Sequence, residues 1–172
     1  MQPIWTIVRP LAIALTLLVA SSGCESDNEL PPVTQKGART LGFKYDGETY
    51  EGSLVQGVFY QDALQINASK KNDNKGNARI TVENYRGEDT LILDNHTSGD
   101  TIDLRMFSVT LNRNNHEPGG VYQTDSCCSI ELIITKFNTE EGVVSGTFRG
   151  KVLHLDKQDT LQITKGRFDA TM

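Results

Sequence analysis

No apolar run among the 172 residues is long enough to cross a bilayer as a helix. The longest, residues 11–20, covers ten positions, about half of the ~20 that a hydrocarbon core of ~30 Å requires. A cationic surplus is missing too: 17 Lys and Arg stand against 22 Asp and Glu, a net charge of −5. That excludes the clustered basic face by which nucleic acid is held, and it disfavours broad adhesion to an anionic lipid surface. Metal-binding spacing is lacking as well. His96, His116 and His154 are scattered, and neither Cys-x-x-Cys nor His-x-His occurs, so no metal site is expected. Beyond about residue 40 no segment has the 3.6-residue periodicity of an amphipathic helix. The hydrophobic share of 37% is low, yet a chain of this size buries roughly 68–70% of its unfolded surface and needs no staples to fold.

What is present begins with an address. Leu11–Ala20 has the length of a signal-peptide core, and Arg9 is its positive flank. Ser21, Ser22 and Gly23 then lead to Cys24. This resembles the lipobox of bacterial lipoproteins, with Ser21 standing where Leu is usual. The resemblance implies removal of residues 1–23 and lipidation of Cys24. At ~0.8 kcal/mol per buried CH₂, several acyl chains hold far more firmly than one. Setting the leader aside removes one arginine and no acid, leaving a net charge of about −6. Glu25-Ser26-Asp27-Asn28-Glu29 is similar to the surface-export signal of Bacteroidetes lipoproteins; the plainer reading is a solvated tether. Residues 24–39, with Pro31-Pro32, lack periodicity and read as the acylated cysteine plus a flexible linker. The expected location is the outer membrane, lipid-anchored, on its periplasmic or cell-surface face.

Residues 40–172 read as a single all-β domain. Asp46-Gly47 between two short runs signals a type I′ hairpin. Leu54–Tyr60 and Ala63–Ala68 form a second pair, and Ala78–Tyr85 and Thr90–Leu93 flank Arg86-Gly87-Glu88 as a third. Thr101–Leu111 is a longer strand whose parity changes near Met106, as at a bulge. Cys128–Phe137 presents Ile130, Leu132 and Ile134 on one face. Val144, Phe148 and Val152 alternate in the next strand, where Gly146 and Gly150 share the apolar parity and leave room for a large side chain opposite. The last strand slips parity at Lys165-Gly166, between Ile163 and Phe168. Eight to ten such strands imply an antiparallel β-sandwich, the preferred architecture, or a closed lipocalin-like β-barrel; alternation serves both.

Ile134-Thr135-Lys136-Phe137, Val144-Ser145-Gly146-Thr147-Phe148 and Ile163-Thr164-Lys165-Gly166-Arg167-Phe168-Asp169 carry a resemblance, joined by Gly120-Val121-Tyr122 and the Asp46-Gly47 turn. Together they resemble a family of uncharacterised Bacteroidetes lipoproteins, catalogued as a domain of unknown function, over roughly residues 41–172. The resemblance implies a secreted, lipid-anchored β-domain. Its motifs are those of strands and turns, and it brings no catalytic residues. The Cys127-Cys128 pair lies outside its pattern.

Adjacent Cys127 and Cys128 point to opposite faces if they lie on a strand. One thiol is then buried and one exposed. A vicinal disulfide, which an oxidising compartment would favour, needs a strained ring at a turn. A Cys–His pair with His116 would be a nucleophile, but no spacing places the two together. His154 shares the parity of Val152 and reads as a core histidine. Asn72–Asn77 is rich in oxygen ligands but lacks the spacing of a calcium loop and reads as a solvated turn. Asp46, Asp100 and Asp103 are separated acids with no mark of a glycosidase pair. Asp89-Thr90-Leu91, Asp100-Thr101-Ile102 and Asp159-Thr160-Leu161 are similar to the O-glycosylation signal of exported Bacteroidetes proteins, marking Thr90, Thr101 and Thr160; the alternative is an Asp that ends a turn before a strand. The turn-rich loop Asn112–Asp125 is the expected binding loop, with His116 and Tyr122 its contacts; the alternative for Tyr122 is a place in the core.

No catalytic constellation or cofactor motif emerges. The expectation is a lipid-anchored, non-enzymatic binding or interaction module, held to the membrane by its anchor and meeting an envelope protein or a glycan. Two rivals are a barrel that carries a small apolar ligand and a hydrolase of glycans or peptides.

Overall fold

A computed structural model of the protein describes residues 29–70, 76–87, 89–95, 104–111, 120–156 and 159–172. Cys24, Thr101 and His116, with Asp100, Asp103 and most of 72–77, lie outside the described residues. Among those described there are ten strands and no helix: β1 (Thr40–Tyr45), β2 (Glu48–Tyr60), β3 (Ala63–Lys70), β4 (Asn77–Val82), β5 (Thr90–Leu93), β6 (Arg105–Leu111), β7 (Gly120–Gln123), β8 (Ile130–Asn138), β9 (Val143–His154) and β10 (Thr160–Thr171).

Eight of them close a ring in the order β1-β2-β3-β4-β6-β7-β9-β10 and back to β1, every neighbour antiparallel. The chain is thus all-β, and of the two expected architectures the closed barrel describes this ring. The sandwich reading is compatible with it, because both bury one face of each strand in a single core. Strand β9 is long enough to be shared. Its Val143–Gly150 stretch pairs β8, while Leu153 and His154 on the same edge pair β7. Strand β5 lies on the outer edge of β8, and just beyond it the Asn95 N–H donates to the Arg105 carbonyl at the start of β6.

Aromatic rings occupy the middle of the barrel. Phe43 stacks on Tyr50 with ring centroids 4.7 Å apart and meets Phe107 and Phe148 edge-on at 6.0 and 5.8 Å. Leu41, Leu64, Ile66, Ile80, Leu132 and Leu161 pack around these rings, fully buried. The Tyr50 hydroxyl is buried among them and donates to the carbonyls of Ala68 and Gly76; burial pushes its pKa up, so it stays neutral.

Local chemistry explains the turns that form where expected. Asp46 and Gly47 have φ of 43° and 82°, the positive values a type I′ turn demands. In β10 the register breaks between Ile163 and Gly166, and Lys165 has φ 53°, the bulge read from the parity slip. Phe168 covers Gly146, where a Cβ would fall 2.8 Å from its ring.

Three expectations are corrected. Ala78–Tyr85 and Thr90–Leu93 are not a hairpin: β4 pairs β3 and β6, and β5 pairs β8. The chain leaves β4 at Asn84, with φ 52°, and Tyr85 turns inward against Phe59 and Phe137, so the Arg86-Gly87 turn delivers the next strand to another partner. No bulge falls at Met106, since β6 begins at Arg105 and pairs β4 in unbroken register from Arg105 to Val109. The strand after the cysteine pair begins at Ile130, not Cys128.

Candidate functional site

The site starts from a buried acid. Asp169, on β10, is 1% exposed, and an ionised carboxylate is stable there only if its lone pairs are met. Five donors meet them: the Thr34 hydroxyl, the backbone N–H groups of Lys36, Gly37 and Ala38 at 3.1, 2.8 and 3.0 Å, and the Ser145 hydroxyl at 2.7 Å. Burial alone would raise the carboxyl's pKa, yet these hydrogen bonds overcome it and hold it down at about 2. The described part of the segment expected to be a linker is therefore fastened to the body. Leu30 is buried, Pro31 lies against Gly42, and the Gln35 side-chain amide donates to the Thr135 carbonyl while Lys136 Nζ donates to the Gln35 carbonyl. Residues 30–38 form a strap across the outer face of β1, β10, β9 and β8.

Beside the strap, β8, β9 and β10 form a trough. Register breaks in β8, between Ile134 and Lys136, and in β10, between Ile163 and Gly166, bend these strands as bulges do. Two adjoining concavities result, of about 400 and about 510 Å³, sharing Glu131, Arg149 and Lys165. The first is walled by Val33 of the strap and lined by Ile133, Thr147 and Arg167; the second runs on to Ile92, Gln162 and Thr164. Arg149 Nε donates to Glu131 Oε2 across the β8–β9 pair at 2.7 Å. Arg167 is half-buried, and its Nε is shut from solvent with no hydrogen-bond partner among the described residues.

The residues singled out in the sequence do not gather here. Cys127 and Cys128 lie in a tight turn, not on a strand. Ser126 and Cys127 form its corner, and Asp125 and Cys128 exchange both N–H···O bonds at 2.9 and 2.8 Å. The turn brings the sulfurs into contact at 2.7 Å, with Cys127 exposed and Cys128 buried, both as free thiols. Burial, then the hydrogen bond and charge of Cys127, pushes the Cys128 thiol up to about 11. Of the two readings of Tyr122, loop contact and core residue, the second describes it: it is 4% exposed and meets the His154 ring edge-on at 4.8 Å. His154 is buried as expected, and its Nδ1 accepts from the Asp156 N–H. Thr90 and Thr160 are exposed at the first positions of β5 and β10, and the Thr160 N–H donates to Asp159 Oδ1. Asp46 is exposed at its turn. No group of three His, Cys, Asp or Glu side chains that could hold a metal occurs among the described residues.

Residues passed over as motifs of strand and turn build the site instead. Ser145 and Asp169 make the clasp, Thr135 and Lys136 hold the strap, and Thr147, Lys165 and Arg167 line the trough. One signal was available: Arg167 and Asp169 flank Phe168 on the outward parity of a strand whose other face is apolar. No family model, curated protein or solved structure matches the chain.

Proposed function

We propose that the chain is a lipid-anchored, extracytoplasmic binding module, tethered through acylated Cys24 to the outer membrane and non-enzymatic, with the trough beside the strap as its binding site. Its location on the periplasmic or cell-surface face, and the resemblance of residues 41–172 to Bacteroidetes lipoproteins, belong to the same reading. The observation that carries it is the placing of filled and open space. The barrel's middle is occupied by Phe43, Tyr50, Phe107 and Phe148, whereas the described concavities lie on the outer face. A carrier of small apolar ligands would need a chamber of roughly 300 Å³ or more where those rings stand. The trough is walled by Val33 of the strap, the segment that follows the expected anchor in sequence.

Hydrogen exchange on the native, membrane-extracted chain tests this, with and without a soluble extract of the cell envelope. Slowed exchange at residues 131–133, 147–149 and 165–167 is expected. Slowing confined to another face, or none at all, contradicts it.

A further inference from the structure

We propose that the trough takes a small amphipathic ligand by an oxyanion head, a carboxylate or a phosphate; this deepens, and rests on, the binding-module reading above. The argument is one of charge placement. Arg149, Lys165 and Arg167 reach the strap-side concavity against the single acid Glu131, in a chain whose net charge is −5. Cations gathered in a concavity with low-dielectric walls focus a positive potential that the rest of an acidic surface lacks. Glu131 is already engaged by Arg149. That leaves Lys165 and Arg167, for whose side chains no hydrogen bond or ion pair is found among the described residues.

Arg167 carries the most weight. Its Nε–H is desolvated and unmet, and an unsatisfied buried donor costs about 1–3 kcal/mol. An oxyanion that draws the guanidinium outward meets Nε–H and a neighbouring Nη–H together, the side-on fork that suits carboxylate and phosphate. Lys165 sits at the bulge with φ 53°, a conformation that non-glycine residues seldom adopt. The bulge leaves Thr164 and Lys165 both exposed, so a second cation stands on the outer face where strict alternation would have turned it inward. Beside the Arg167 end, Val33 and Ile133 offer an apolar wall, and about 400 Å³ is the size of a small-molecule site. The head lies on the cations and the non-polar part lies on the strap.

The test titrates the full chain, kept below micelle concentrations, with octanoate, octyl phosphate, octanol and octylammonium, and follows backbone amide shifts. Saturable shifts at residues 131–133, 147–149 and 165–167 with octanoate or octyl phosphate are expected, and the tighter of the two identifies the head. Octylammonium should produce none. Arg167→Gln should weaken binding about tenfold or more, the loss of one charge-assisted bond. Lys165→Gln, at an exposed position that folding does not depend on, should weaken it several-fold. Arg79→Gln, on β4, should change nothing. Octanol binding as tightly as octanoate, or both trough variants binding like the wild type, overturns the oxyanion preference while the trough keeps its standing as a binding site. No saturable shift there with any of the probes overturns the amphipathic-ligand proposal; the binding-module reading falls only if the envelope extract also fails to slow exchange at the trough.

Discussion

Five donors converge on the Asp169 carboxylate, three of them backbone N–H groups of one short segment, and the charge must stay ionised for the strap to stay in place. The carboxyl falls from 3.8 to about 2 on folding, worth about 2 kcal/mol. Because the folded pKa lies below the unfolded one, that stability is whole above about pH 4 and is lost as the pH falls from there through about 2. Asp169→Asn should therefore lower the unfolding free energy at pH 7 by about 2 kcal/mol, and the gap from wild type should close between about pH 4 and pH 2. Urea titrations across that range measure it; a gap independent of pH would show that the charge is not what holds the strap. The cysteine pair gives a second prediction. In the reduced chain Cys127 is exposed, while Cys128 is buried with its thiol at about 11. Iodoacetamide at pH 8 should label Cys127 well before Cys128, read by peptide mass, and equal rates would mean the turn does not shield Cys128.

At the level of strands, what could be read from the sequence was whatever repeats every two residues or turns within four. The Asp46-Gly47 hairpin and the slip at Lys165-Gly166 declare themselves locally, one by the residues that tolerate positive φ, the other by a face that changes sides. The Ala78–Tyr85 strand and Thr90–Leu93 were legible as strands but not as non-partners, because pairing is decided by which edge is free elsewhere in the ring. The strap was illegible for the same reason. Its anchor lies 133 residues from Lys36, and nothing in Thr34–Ala38 distinguishes an ordered segment from a tether until Asp169 is brought to it. The trough depends on three strands and the strap together, so its lining could not be assembled from alternation alone. Two glycine variants separate space from backbone freedom. A Cβ at Gly166 would lie 2.5 Å from both the Phe148 ring and its carbonyl oxygen, and Gly166→Ala should cost about 1–3 kcal/mol from overpacking. At Gly47 nothing lies within 4 Å, and Gly47→Ala should cost only the positive φ, about 1 kcal/mol. Denaturant midpoints rank them; equal losses would mean that packing at the bulge is loose.

For the molecule as a whole, aromatic rings stand in the middle of the barrel, the described concavities lie on its outer face, and the strap that walls one of them follows the expected anchor, Cys24, in sequence. On the proposed reading, the residues that follow the anchor also clamp onto Asp169 and wall the site with Val33. Cys24→Ala should, on the proposed anchoring, release the chain from the membrane fraction. The most direct test is the intact mass of the native chain extracted from membranes. The account predicts residues 24–172 plus lipid, with the Cys24→Ala chain soluble and unacylated; a native chain that retains residues 1–23 and carries no lipid would contradict it.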